Sequence, residues 1–207
     1  MTKQLIIALL TLLPATLSAQ DNTWERIEVS PEEKANPDAK YLAIDAVPMK
    51  DGKVCWQTTI AAPGKTAGQI YDILLAQLEK MTTEPNQIKN SDVALKDSAA
   101  HRLVGVFHEW LVFKSTALSL DRTQLNFLVK ADCSDGQADV TITRITYDYQ
   151  SGQKEDHLTA EEWISDKACV NKKRTKLYPI SGKFRRKTID RKDYIFNKFN
   201  TLLNGNK

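Results

Sequence analysis

The chain has 207 residues, of which 42% are hydrophobic and 27% charged, with a formal net charge of +3. This is ordinary globular composition, and beyond the N-terminus no apolar run reaches the ~20 residues that span a bilayer. No residue constellation names a chemistry outright, so the sequence speaks first about compartment, fold and charge.

Lys3 precedes an apolar run from Leu5 to Leu13, and Leu17-Ser18-Ala19 supplies the small residues of a cleavage site, so residues 1–19 read as a secretory signal peptide. The same tripeptide matches the front of a bacterial lipoprotein signal, but Gln20 stands where the lipidated cysteine would be. The expectation is a soluble chain, periplasmic or secreted. Removing 19 of the 207 residues leaves 188, enough for one domain with a core and too few for two. Residues 20–52, interrupted by Pro31, Pro37 and Pro48, read as an irregular leader ordered in part around Trp24, Ile27 and Val29, with a short edge strand over Tyr41 to Val47. Lys50-Asp51-Gly52-Lys53 is a turn into the first core strand.

In that strand Val54, Trp56, Thr58 and Ile60 alternate with Cys55, Gln57 and Thr59, the period of a half-buried β-strand. Pro63 and Gly64 break it, and Thr66 opens a helix with Gln69 placed for a capping box. Ile70, Ile73, Leu74, Leu78 and Met81 make the apolar stripe of that helix. Arg102 to Phe113 is a long β segment in which Gly105 marks a bend or a split into two strands. Two further alternating runs, around Leu125 to Asp132 and Val140 to Tyr147, flank Ser134-Asp135-Gly136, a hairpin signal. Gln150 to His157 reads as a polar linker, Thr159 to Glu162 as the capped start of a short helix, and 171–187 as a basic loop. A last helix from near Asp190 lines up Ile195, Phe199 and Leu202. The reading is a single α+β domain over 53–203, with a core at 53–149 and C-terminal helices at 159–203: an antiparallel sheet of about four to five strands in β-α-β-β-β(-β)-α order, with helices packed on one face.

These stretches also carry a resemblance. Tyr41-Leu42 to Val47-Pro48, Asp51-Gly52-Lys53-Val54, the helix after Pro63-Gly64-Lys65, the Asp135-Gly136 hairpin and the run from Gly182 to Asp190 resemble the exported Bacteroidales family called domain of unknown function 4468. The resemblance implies a TBP-like fold, with a curved antiparallel sheet, over most of the mature chain. It does not imply DNA binding, because function resides in sites and not in folds.

Charge is the sharpest remaining feature. Residues 171–198 hold eleven basic side chains against Asp190 and Asp193, a balance of +9, so the rest of a chain at +3 carries −6. Lys172, Lys173, Arg174, Lys176, Lys183, Arg185, Arg186 and Lys187 are therefore the candidate anion-binding residues, with an acidic polysaccharide, a lipid headgroup or an envelope protein as the partner. Nucleic acid is the weaker version of this idea in an exported chain. The opposite reading is a solvated face paired with Glu32, Glu33, Glu161 and Glu162.

Catalytic signals are sparse. His101 and His108 point to opposite faces of an unbroken strand, His157 falls in the linker, and no G-x-S-x-G or H-E-x-x-H is present. Gly64-Lys65-Thr66 opens a helix as a phosphate loop does, yet Thr59 replaces its first glycine. Cys55, Cys133 and Cys169 allow three single-disulfide pairings or three thiols, without zinc-site spacing. Trp56, Trp110 and Trp163 belong to the core or line a groove for a sugar or lipid. The expectation is a non-catalytic binding or interaction module of the bacterial cell envelope that needs no cofactor or metal, with an enzyme of hydrolase type and a structural or assembly protein as competing classes.

Overall fold

The computed structural model of the chain describes residues 22, 24, 37–116, 118–151 and 154–205. The expected signal segment and Ile27, Val29, Glu32 and Glu33 lie outside them. Seven strands form one antiparallel sheet: β1 (Met49–Lys50), β2 (Lys53–Ala61), β3 (Asp92–Asp97), β4 (Arg102–Thr116), β5 (Ser119–Ser134), β6 (Gln137–Ser151) and β7 (Lys154–Thr159). Their order is β1-β2-β6-β5-β4-β3, with β7 also on β6. The helices are α1 (Ala39–Leu42), α2 (Ala67–Met81), α3 (Ala160–Trp163), α4 (Asp166–Cys169) and α5 (Pro179–Asn204).

The turns follow from their residues. Asp51 and Gly52 both have positive φ (50° and 72°), the primed geometry that a two-residue hairpin between β1 and β2 requires. Between β5 and β6 the turn Asp135-Gly136 does a second task, since the Asp135 carboxylate accepts from Ala67 N at 2.8 Å. It works beside the expected capping box, in which Thr66 Oγ1 accepts from Gln69 N and Gln69 Oε1 from Thr66 N.

One face of the sheet is apolar and carries the helices. Leu103, Phe107 and Leu111 of β4 and Leu125, Phe127, Val129 and Ala131 of β5 are buried there under α2 and α5. β4 runs unbroken through Gly105, which leaves room for the Phe107 ring, stacked on Phe127 at 5.2 Å between centroids. In β6 the buried set passes from Val140 and Ile142 to Ile145 and Tyr147, a change of parity produced by a bulge at Arg144, φ +54°. The bulge sits where the outer edge of β6 changes partner, from β2 (residues 137–143) to β7 (146–151).

Three sequence expectations need correction. Tyr41 to Val47 is not an edge strand: it holds α1, with Tyr41 Oη donating to Asp190 at 2.8 Å. The polar linker is the edge strand β7, and β3 was not anticipated. The basic loop 171–187 ends at Tyr178, because α5 begins at Pro179, eleven residues ahead of Asp190. Of the two readings left open for the cysteines, three thiols is the one found, and burial pushes the Cys133 thiol up to about 11.

Candidate functional site

Among the described residues no helix lies over the other face of the sheet, which is built from the alternate side chains of the same strands. His108 Nδ1 lies 2.7 Å from Asn126 Oδ1, whose oxygen also accepts from Gln124 Nε2 at 2.8 Å. Asn126 Nδ2 donates to Asp148 Oδ2 at 2.8 Å, and Asp148 Oδ1 meets His157 Nδ1 at 2.5 Å. A continuous hydrogen-bonded row thus crosses β4, β5, β6 and β7. Beside it the Arg122 guanidinium lies over Trp110 at 3.7 Å, a stacking that fixes both planar groups. Trp110, Arg122, Gln124, Asp148, Gln150 and Glu155 line a cleft of about 210 Å³. Its walls carry planar groups that donate and accept in pairs, and no serine, cysteine, lysine or histidine lines it among the described residues.

On the helix side Glu109 is sealed in. Arg191 Nε and Nη2 donate to its two oxygens at 2.8 Å each, Arg191 Nη2 also reaches Glu84 at 2.9 Å, and Gln87 Nε2 donates to Glu109 at 2.7 Å. Burial pushes the Glu109 carboxyl up against the pull of Arg191. Glu109 and its neighbour His108 therefore face opposite sides of the sheet and do not converge.

The candidate anion-binding residues divide. Arg185, with no exposed side-chain surface, donates to Tyr41 O (2.7 Å), Ile164 O (2.8 Å) and Asp166 (2.7 Å). Arg174 donates to Asp166, Leu42 O and Ala43 O. Arg186 forks onto Asp38 at 2.6 and 2.7 Å, and Lys183 reaches Asp121 at 2.7 Å and Tyr149 Oη at 3.0 Å. Lys187 is half-buried, whereas Lys172, Lys173 and Lys176 are exposed on the loop before α5. Burial raises Asp166, but hydrogen bonds from Arg174 and Arg185 outweigh it and hold the carboxyl below its ordinary value; Arg186 does the same for Asp38. Half of the candidate set is thus internal fastening. It binds the 38–43 segment, the β4–β5 hairpin and α4 to the last helix.

Other sequence candidates are also placed. Ala67 N and Gln69 N at the start of α2 are already taken by Asp135 and Thr66, so these two amides do not cradle a phosphate behind Gly64-Lys65-Thr66, in keeping with Thr59 at the first glycine position. Trp56 is buried and donates to Ala46 O, Trp163 packs edge-on to Phe184, and Trp110 alone of these three stands on the open face. Among the described residues no group of three His, Cys, Asp or Glu side chains is placed to hold a metal ion, and no helix is long and apolar enough to cross a membrane.

Residues 56–148 match the family described as a domain of unknown function (DUF4468) with TBP-like fold. The crystal structure of a DUF4468 family protein from Bacteroides ovatus ATCC 8483 is 36% identical to this chain with a TM-score of 0.74, the match covering 81% of this chain and 95% of that one. The chain belongs to the DUF4468 family. A TBP-like protein from Parabacteroides distasonis ATCC 8503, 18% identical, superposes with a TM-score of 0.64 over 78% of this chain and 99% of that one, which shows the shared fold. No curated protein matches the chain.

The stretch that matches DUF4468 contains His108, Trp110, Arg122, Gln124, Asn126 and Asp148, while Gln150, Glu155 and His157 lie beyond it. Sequence reading missed this constellation because its members lie on four strands, and only the register brings them together. The available signal was the alternation of Arg122, Gln124 and Asn126 with Thr123, Leu125 and Phe127, opposite His108 and Trp110.

Proposed function

We propose that this DUF4468 protein is an exported, non-catalytic binding module of the cell envelope that holds a small hydroxyl-rich ligand, of saccharide class, in the open-face cleft beside Trp110. The observation that carries this reading is the side-chain row from His108 through Asn126 and Asp148 to His157, which pre-orients Gln124 and Asp148 at the cleft. A hydrogen-bonded network with fixed members costs little reorganisation when a ligand arrives. Amide, carboxylate and guanidinium planes each bridge a pair of neighbouring hydroxyls, and the indole offers an apolar body with a polar edge. The cleft is smaller than the ~300–1,000 Å³ of a drug-sized site, so it suits one ring, or the end unit of a longer chain lying along the sheet. Export rests on the pattern of residues 1–19.

Affinity electrophoresis through gels containing neutral polysaccharides tests the reading. The wild type is retarded by at least one of them, and Trp110→Ala and Gln124→Ala each lose about tenfold in affinity, equal to ~1.4 kcal/mol, while melting as the wild type does. Release of product from reporter glycosides by the wild type, abolished in Asp148→Asn, would instead place the cleft in the enzyme class.

A further inference from the structure

The loop before α5 is built to present charge. Asn171 Oδ1 accepts from Thr175 N at 2.8 Å and Lys176 N at 3.1 Å, Asn171 N donates to Lys176 O at 3.0 Å, and Tyr178 N donates to Cys169 O at 2.8 Å. Within this closed loop Arg174 takes a left-handed conformation (φ 52°) and turns its guanidinium inward to Asp166, Leu42 O and Ala43 O. Lys172, Lys173 and Lys176 are left facing solvent, with Lys167 of α4 also exposed. The nearest carboxylate in sequence, Asp166, is already neutralised by two arginines.

Large apolar side chains crowd the same end of the molecule. Tyr178 is 47% exposed and Ile180, in the first turn of α5, 65%. The Lys183–Asp121 bond ties that turn to the tip of the β4–β5 hairpin, where Leu118 is 98% exposed and Leu120 48%. Four of the eight exposed large hydrophobics among the described residues therefore sit toward this end of the molecule. A polyanion in solution would use the charges alone; exposed leucine, isoleucine and tyrosine beside them match an interface with charged headgroups outside and acyl chains below.

We propose that this end of the molecule docks on an anionic lipid surface, with Lys172, Lys173 and Lys176 against the headgroups and Leu118, Tyr178 and Ile180 entering the interface. None of these six side chains lines the open-face cleft, although Leu120 and Asp121 beside them do, so the variants leave the cleft lining unchanged and each reading stands or falls alone. Cosedimentation with vesicles of phosphatidylcholine mixed with phosphatidylglycerol, and of phosphatidylcholine alone, tests it. The wild type binds the mixed vesicles and releases them as salt rises. The triple variant Lys172→Gln, Lys173→Gln, Lys176→Gln loses about a hundredfold in affinity, each lysine contributing roughly fivefold near an anionic surface, and melts as the wild type because these side chains are exposed and fasten nothing among the described residues. Leu118→Ser with Ile180→Ser weakens vesicle binding severalfold yet leaves elution from immobilised dextran sulfate unchanged. Since all variants carry the same N-terminal segment, its own affinity for lipid cancels in the comparison. Equal vesicle binding by the wild type and the lysine variant overturns the proposal; so does a leucine–isoleucine variant that binds vesicles as tightly as the wild type, which would leave a soluble polyanion as the partner.

Discussion

Arg185 shows how a basic side chain can belong to the core. Its Nε, Nη1 and Nη2 are each within 2.8 Å of an acceptor, two of them backbone carbonyls, and the side chain is 0% exposed. Removing the guanidinium leaves the Tyr41 and Ile164 carbonyls without that partner, at about 1–3 kcal/mol for each unsatisfied buried group. Arg185→Met is expected to lower unfolding stability by about 3 kcal/mol in urea titrations, against less than ~0.5 kcal/mol for Lys172→Gln. Equal midpoints for the two would contradict the assignment. The carboxylates on these arginines also set a pH dependence. Asp38 and Asp166 have folded pKa values below their ordinary 3.8, so each favours the folded state above that value. Their contribution is complete above roughly pH 5 and is lost as pH falls through the depressed folded values. The urea midpoint should therefore drop between about pH 5 and pH 3 by more in the wild type than in Asp38→Asn with Asp166→Asn; parallel curves would show that the pairs add nothing.

Among the elements, β4 depends on a residue without a side chain. A Cβ on Gly105 would lie 2.5 Å and 2.9 Å from ring atoms of Phe107 and 3.5 Å from Leu78 of α2. Gly105→Ala is expected to cost about 1–3 kcal/mol by overpacking. Combined with Phe107→Leu it should cost less than the two changes summed, as contacting residues couple; strict additivity in a double-mutant cycle would refute the contact. Elements with a clean period were legible from sequence: β2, the capped helix α2, and the hairpin at Asp135-Gly136. The first half of α5 was not, because Arg185 and Arg191 occupy inward positions beside Phe184, Thr188 and Ile189, and arginines there read as a solvated loop. β7 hid for a different reason. As an edge strand of Lys154, Glu155, Asp156 and His157 it carries the charge that keeps edges from pairing further, and so lacks an apolar alternation. The bulge in β6 was written in the sequence as the step from Ile142 to Ile145, a three-residue gap in a two-residue period.

For the molecule as a whole, the sheet divides two kinds of chemistry. On its helix side about half of the basic segment's charge is spent within the fold: Arg174, Lys183, Arg185, Arg186 and Arg191, five of its eleven basic side chains, meet Asp38, Glu84, Glu109, Asp121 and Asp166 from elsewhere in the chain. The open face keeps the polar row and the cleft, and its residues were individually visible in the sequence but not as neighbours, since strand register decides which of them meet. Amide NMR titration of the protein with neutral oligosaccharides shows whether this open face is the binding surface. If it is, shifts concentrate at Trp110, Arg122, Gln124, Asp148 and Gln150, with α5 unmoved. Shifts confined to residues outside the open face, or none with any sugar while the lysine loop still engages anionic vesicles, would contradict it.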